Sequence, residues 1–418
     1  MVSSTKKLKI VMFSETYIPQ VNGVATSIHL FRKYLEKRGH DVYIVAPASP
    51  ENDDKVLLID GITFPMEKQH KLPIPDNRLI NNLILEIDPD VIHSHAPFTL
   101  GIAALRTQKK FGIPHVHTYH TLLVEYRHYI PKPFTPPRNA VEEFSAWFCN
   151  QVDHVVSPTA EIKAELQKYG VEKPITILPT GIDIESFEKH DKFSIREKHE
   201  ITSNDKILLF VGRLAKEKNL EFILEIFEEL YKKFRKIKLI IVGDGPMRPK
   251  IEEYKNETQA GRNIILTGYI KRNDLIEYYK QSDLFIFASV TETQGLVVLE
   301  SLAAGTPVVA VAKKGIKDVL MDGQGALLIN EVDKTEFLKK VEELLTNEEL
   351  LENLSILGKE YVKNYWSMNI MAEKLEKLYF SLEKNVKSNR SFNFNLFSNM
   401  IYRLSKIGDK IFKTEEEE

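Results

Sequence analysis

This chain has almost no cysteine. A single one, Cys149, stands in 418 residues. That excludes an intrachain disulfide framework and fits a reducing compartment. Long apolar runs are missing too. The first one, in MVSSTKKLKIVMF, is too short for a signal sequence, and no later run approaches ~20 apolar residues. An excess of either charge is also absent. With 57 basic and 59 acidic residues the formal net charge is −2, so no global electrostatic footprint for nucleic acid exists. A protein made and kept in the cytoplasm is expected. What remains is 43% hydrophobic and 28% charged, enough for two ordinary domains.

Short β-rich runs alternate with helical patterns. LKIVMFSE, DVYIVAP, VIHSHAP, PHVHTYH, HVVSPT and ITILPTG read as strands with helices between them. The alternation restarts at KILLFVGR and continues through KLIIVGDGP, IILTGYI, LFIFAS and PVVAV. Continuous apolar strands alternating with helices predict parallel sheets covered on both faces. The fold class is therefore α/β, with two doubly wound Rossmann-like domains facing a cleft. Residues 1–188 form the first domain and 189–364 the second. The boundary lies in the polar stretch EKHDKFSIREKHEITSND, and residues 365–386 form a helix crossing back to the first domain. In residues 387–418, Phe394, Phe397, Ile401, Leu404, Ile407 and Ile411 recur at steps of three and four. Arg403, Lys406, Lys410 and Lys413 recur beside them, which predicts a basic amphipathic helix before a glutamate tail.

Ligands of open parallel sheets bind at the carboxyl ends of the strands. Position relative to a strand end therefore sorts the candidates. Asn22-Gly23-Val24 opens the first helix, where backbone N–H groups suit a phosphate; a tight loop needing glycine is the plainer reading. His115 and His117 share a strand face, and with His93 and His95 they suggest either a metal cluster or buried, hydrogen-bonded imidazoles. No cysteine or carboxylate set completes a metal site. His120 sits where its strand ends and can meet a substrate hydroxyl or phosphate. Arg213 and Lys218 follow a strand in FVGRLAKEKN, and two cations in one loop suit a diphosphate. Gly243-Asp244-Gly245 reads as a tight turn only. Asp88-Pro89-Asp90 matches a metal-binding D-x-D pattern, but it precedes its strand and reads as a turn.

The stretch TETQGLVVLE carries two acids with seven residues between them. Glu292 lies in a strand-end loop, and Glu300 lies inside the following helix. Gly295, Leu296 and Val297 open that helix and offer free N–H groups to an anion. The carboxylates would repel phosphate but accept hydrogen bonds from hydroxyls. A sugar nucleotide satisfies all of these groups. A helix-capping acid plus a buried salt-bridge partner is the competing explanation.

Taken together, GRLAKEKN, VGDGP and E-x7-E, with VNGVATSI, DVIHSHAPFTLG and PTGID, resemble family 4 of the retaining glycosyltransferases. The resemblance covers roughly residues 8–385 and implies the GT-B fold. It implies that Gly23 lies against the donor phosphates and that Arg213 and Lys218 bind the diphosphate. Glu292 would hold the sugar hydroxyls, with Thr293, Gln294, Gly295, Leu296 and Val297 beside it, Glu300 the ribose, and His120 the donor sugar near the reacting centre. It implies no essential metal and no cofactor.

The fold leaves the acceptor open. The stretch TLLVEYRHYIPKPFTPP after His120, with Tyr126 and Arg127, resembles the tyrosine-rich segment of bacterial diacylglycerol glucosyltransferases. Residues 66–86 mix Lys68, Lys71 and Arg78 with Leu79, Ile80, Leu83 and Ile84, either a basic apolar surface or a core-facing helix. Residues 387–413 hold six basic side chains against one acidic, a local excess of +5, suited to an anionic membrane or to docking on the protein. The expected activity is transfer of glucose from UDP-glucose to 1,2-diacylglycerol, at the inner face of the cell membrane. Competing acceptors are phosphatidylinositol, a polyprenyl-linked saccharide and a soluble phosphosugar. A non-catalytic nucleotide-sugar or lipid-binding scaffold is the reading from another class.

Overall fold

The computed structural model describes residues 6–20, 22–50, 53–64, 67–129, 135–188 and 193–382, with residues 63–72 and 128–129 described in their backbone alone. The basic helix expected beyond residue 386, with Arg403, Lys406 and Lys410, lies outside them.

The first half holds β1 (Lys9–Phe13), β2 (Asp41–Ala46), β3 (Val56–Leu58), β4 (Gly61–Phe64), β5 (Glu67–Pro73), β6 (Val91–Ser94), β7 (His115–Thr118), β8 (His154–Ser157) and β9 (Ile175–Ile177). Seven of these make one sheet in the order β3-β2-β1-β6-β7-β8-β9, and β4 and β5 form a separate antiparallel hairpin. The second half holds β10 (Lys206–Val211), β11 (Ile237–Val242), β12 (Ile264–Gly268), β13 (Leu284–Phe287), β14 (Val308–Val311) and β15 (Ala326–Ile329), in the order β12-β11-β10-β13-β14-β15. Every pairing within the two large sheets is parallel.

These strands form because their residues are apolar on both faces and helices cover both. VIHS, HVHT, LFIF and VVAV are buried at every position. Side chains mark several helix starts: Asn22 accepts from the Ala25 N–H and Asp333 from the Glu336 N–H. In each sheet the chain order reverses about a central strand, β1 in the first and β10 in the second. The loops at the carboxyl ends of β1 and β6, and of β10 and β13, therefore part to leave a crevice.

Three helices end the described chain: Lys334–Thr346, Glu348–Tyr365 and Met368–Ser381. The last buries Met368, Met371, Leu375 and Tyr379 in the core of the first half. Its Glu376 accepts from Arg38 at 2.5 Å and pairs with His40 at 2.8 Å. The backbone bonds Ile182 N–H to Trp366 C=O and Met368 N–H to Ile182 C=O fasten its start beside the interdomain segment.

Residues 66–86 do not form one surface helix. The first part is the β5 strand. The second is a helix, Asn77–Ile87, that buries Ile80, Ile84 and Ile87 and exposes Leu79 and Leu85. The core-facing reading holds for the helix, and the side chains of Lys68 and Lys71, needed for a basic apolar surface, lie outside the described ones. Asp88 ends that helix in a left-handed conformation, and Asp90 accepts from the Lys9 N–H at the amino end of β1. Both aspartates therefore serve a turn on the side away from the crevice.

Candidate active site

Strand order explains the first contact of the site. Lys218 and Glu292 are 74 residues apart, but β10 and β13 are neighbours, so their carboxyl-end loops meet. Lys218 Nζ donates to Glu292 Oε1, and both side chains are largely buried. Burial works against the lysine's charge. Glu292, Tyr126 and Glu217 more than offset it, so its pKa lies above the ordinary value. Ser289 Oγ, from the β13 loop, donates to the Glu217 carbonyl and ties the two loops together.

The loop bearing Arg213 is braced from β11. Gly243 and Gly245 take φ of 134° and 155°, and a Cβ on Gly243 would stand 1.9 Å from the Gly212 carbonyl oxygen. This close approach lets the Leu214 N–H donate to the Asp244 carbonyl, and the Met247 N–H to the Leu214 carbonyl. The GDG turn is thus structural, and what it holds is the Arg213 loop.

Gly295, at φ 79°, leads into the helix Leu296–Ala304 and brings no capping side chain. The first-turn N–H groups there lack intrahelical acceptors, and their positive dipole end sits beside Lys218 and Glu292. Thr293 and Gln294 spend their side chains on the first half. Thr293 Oγ1 donates to the His120 carbonyl at 2.8 Å. Gln294 accepts from the Thr180 N–H at 2.8 Å and donates to its carbonyl at 2.7 Å. Both side chains tie the two halves together, which leaves Thr293 and Gln294 their backbone groups for a ligand.

Glu300 is 5% exposed. Arg272 Nη1 donates to its Oε1 at 2.6 Å and the Tyr279 hydroxyl to its Oε2 at 3.0 Å. Sequence reasoning missed both partners. Arg272 could have been found by the rule applied to the other residues, since it follows the carboxyl end of β12. Tyr279 lies seven residues on, two helical turns along the same face.

From the first half, β6 and β7 are neighbours, so His95 and His120 meet. Their Nδ1 and Nε2 atoms are 2.9 Å apart and their rings stack. His93 bonds Tyr379 and Thr118; His115 bonds Gln108 and Ser94; His117 bonds Ser94. These are the buried, hydrogen-bonded imidazoles of the plainer reading. Burial pushes His120 down to about 4 and His115 to about 3, and drives His93, His95 and His117 well below the usual range. All five are neutral at pH 7. Among the described residues no group of three histidine, cysteine, aspartate or glutamate side chains is arranged to hold a metal ion.

Gly23 begins the helix Gly23–Lys37, and a Cβ there would meet nothing within 4 Å. The fold itself does not require glycine at this position. Tyr126 lies on the short helix Leu123–Tyr129. Burial raises its hydroxyl pKa, and the charges acting on it are Lys218, Glu292, Glu217 and Arg213, so it faces the donor loops across the crevice. Arg127 turns inward and donates to the Val124 and Pro136 carbonyls, bracing its own loop. A residue that no motif flagged is Glu15, just after β1. It accepts from the Leu100 N–H and the Thr99 hydroxyl, and burial raises its pKa to about 7.

Two family descriptions match this chain: Glycosyltransferase Family 4 over residues 21–186, and Glycosyl transferases group 1 over residues 191–361. It belongs to glycosyltransferase family 4. The alpha-monoglucosyldiacylglycerol synthase of Streptococcus pneumoniae is 33% identical over 78% of this chain and 76% of that protein. The enzyme of the same name from Acholeplasma laidlawii is 31% identical over 91% of this chain and 99% of its own. Among solved structures, Anabaena HepE in complex with UDP and glucose superposes with a TM-score of 0.71. It is 14% identical, over 90% of this chain and all of that one. The fold is GT-B, and the protein is a hexosyltransferase.

Proposed function

We propose that this glycosyltransferase moves glucose from UDP-glucose to the 3-hydroxyl of 1,2-diacylglycerol, with retention of configuration, at a membrane surface. The observation that carries the donor half is the convergence of Lys218, Glu292 and the open helix start after Gly295 at one switch point, with Glu300 held nearby. Lys218 and Arg213 neutralise charge growing on the leaving diphosphate. Glu292 accepts hydrogen bonds from the sugar hydroxyls, and the neutral His120 bonds the sugar near its anomeric carbon. Gly23, with open space beside it, lets a phosphate approach the first helix. The anomeric carbon–phosphate oxygen bond breaks, and the bond to the acceptor oxygen forms on the same face. The acceptor's proton passes to the departing phosphate, so no dedicated protein base is needed and no step calls for a metal.

The lipid acceptor is supported by similarity to the two synthases and by the surface of the first half. Leu58, Ile62, Ile74 and Leu85 are each more than half exposed, and Leu79 and Phe98 of the same half are exposed too. Phe98 precedes Thr99, whose hydroxyl donates to the Pro73 carbonyl, one residue before Ile74. Isolated exposed apolar residues are ordinary, but a group of this size on one domain marks an interaction surface. Among the described residues no helix is long and apolar enough to cross a membrane. The protein therefore meets lipid from the side, through this surface and the basic segment 387–413. Tyr126, facing the donor loops, is the residue this reading assigns to the acceptor.

A panel of radiolabelled donors on diacylglycerol-containing anionic vesicles tests the proposal, with products resolved by chromatography. UDP-glucose should give one alkali-labile α-glucolipid. Label appearing only on phosphatidylinositol, a polyprenyl carrier or a soluble phosphosugar would reject the acceptor, and transfer from another nucleotide sugar alone would reject the donor.

A further inference from the structure

Beyond the residues already given roles, we infer that Arg272 is a donor-site residue: its Nη1 holds Glu300 in place and its Nη2 donates to an oxygen of the bound nucleoside. The inference rests on the donor reading of Glu300 and adds a second contact to it.

Glu300 cannot stand alone where it is. A carboxylate this deeply buried needs donors, and the hydrogen bonds from Arg272 and Tyr279 supply two. A carboxylate has about four acceptor sites, so two stay available for a ribose diol. The pair is assembled by packing, because the helix Arg272–Lys280 lies against the helix Leu296–Ala304.

Arg272 itself has donors to spare. Its side chain is about one-third exposed, yet its Nη2 is buried and finds no acceptor in the protein. Leaving such a charged donor unsatisfied is costly, and a bound acceptor would relieve it. The guanidinium also lies within electrostatic reach of the first half: Asp183 is among the charges acting on it, and it acts in turn on His29 of the Gly23–Lys37 helix. The free donor thus sits at the junction of the halves, on the Glu300 side of the helix start.

The class of ligand follows from the neighbours. A second phosphate is disfavoured, because Glu300 is adjacent and the diphosphate cations Lys218 and Arg213 belong to the β10 loop. What suits a carboxylate beside an unused guanidinium N–H is a neutral group with hydroxyls and a carbonyl or ring oxygen close together. The ribose and base of a nucleoside diphosphate provide them.

Calorimetric titration of the full-length protein with UDP, GDP and ADP, beside pyrophosphate, tests this. Arg272→Gln should weaken the nucleotide the wild type prefers at least tenfold and leave pyrophosphate affinity unchanged, with a lower ligand-free unfolding temperature reporting the lost bond to Glu300. Should Arg272→Gln fold poorly, Arg272→Lys carries the test, since lysine keeps the charge beside Glu300 but loses the fork of N–H groups. In a Glu300→Gln background the Arg272→Gln loss should persist, because Nη2 acts directly. Unchanged nucleotide affinity, an equal loss for pyrophosphate, or disappearance of the loss in that background overturns the inference. A folded wild type that binds none of the three nucleotides overturns the donor reading itself.

Discussion

The two halves of this protein share an architecture and build their crevice walls from opposite materials. The first half gathers five neutral imidazoles in β6, β7 and the loops after them, bonded to hydroxyls, to an amide and, for His95 and His120 at the crevice, to each other. The second places paired charges there, Lys218 with Glu292 and Arg272 with Glu300. The packing differs in parallel. One continuous apolar core supports the second half, whereas three separate clusters support the first, one of them shared with the crossing helix. The contrast teaches how a two-domain transferase divides its work. The half that meets a diphosphate needs fixed charges, and pairing them keeps those charges in place despite burial. In the proposed function the first half meets the acceptor, and neutral groups at its side of the crevice suit an apolar partner.

Changing the charged wall should have the largest effect. Arg213→Ala or Lys218→Ala is expected to lower kcat/KM by about 10²–10³, the usual cost of one group stabilising a developing anion. Lys218→Ala also strands the Glu292 carboxylate and should lower the unfolding temperature. An unchanged unfolding temperature would show that the pair does not hold the loop.

Acid should separate the halves next. A buried histidine with a depressed pKa binds fewer protons folded than unfolded, so its contribution is intact above about pH 6.5 and is lost as pH falls toward the folded value. Each such histidine adds a slope of on the order of 1.4 kcal/mol per pH unit in that window. Glu15 runs the other way: its raised pKa favours folding as pH falls from about 7 toward the ordinary carboxylate range. Five histidines outweigh one glutamate, so hydrogen exchange at pH 5 should show the first half losing protection before the second. The reverse order would undo the comparison.

Smaller effects sharpen the seam. Gln294→Leu leaves the Thr180 N–H and carbonyl without their partner, at a cost of about 1–3 kcal/mol each. Calorimetry should show a lower unfolding temperature, and scattering should show a more open pair of domains. Least of all, Ile62→Asp should leave the fold untouched and reduce partition onto anionic vesicles by about tenfold. No change in partition would move lipid contact entirely to residues 387–418.

Legibility in the sequence followed the range of the physics involved. Alternating apolar strands and helices announced two parallel sheets, because β period, helix period and turn chemistry are local. The strand-end rule picked out His120, Arg213, Lys218 and Glu292 for the same reason. Segment 66–86 misled in part, since its charge and apolar content do not say which residues face the core. Arg272 and Glu15 went unremarked because neither belongs to a motif; each becomes conspicuous only through the partner it meets.

The sequence by itself determined the element order, the location of both crevice loops and the family. Which groups pair was decided by tertiary structure alone. Strand order brings Lys218 to Glu292 and His95 to His120, helix packing brings Arg272 to Glu300, and the crossing helix sets Tyr379 on His93. A side chain's type fixes what it can bond. Its depth and its neighbours, which only the folded chain supplies, decide whether it stays charged and whom it bonds.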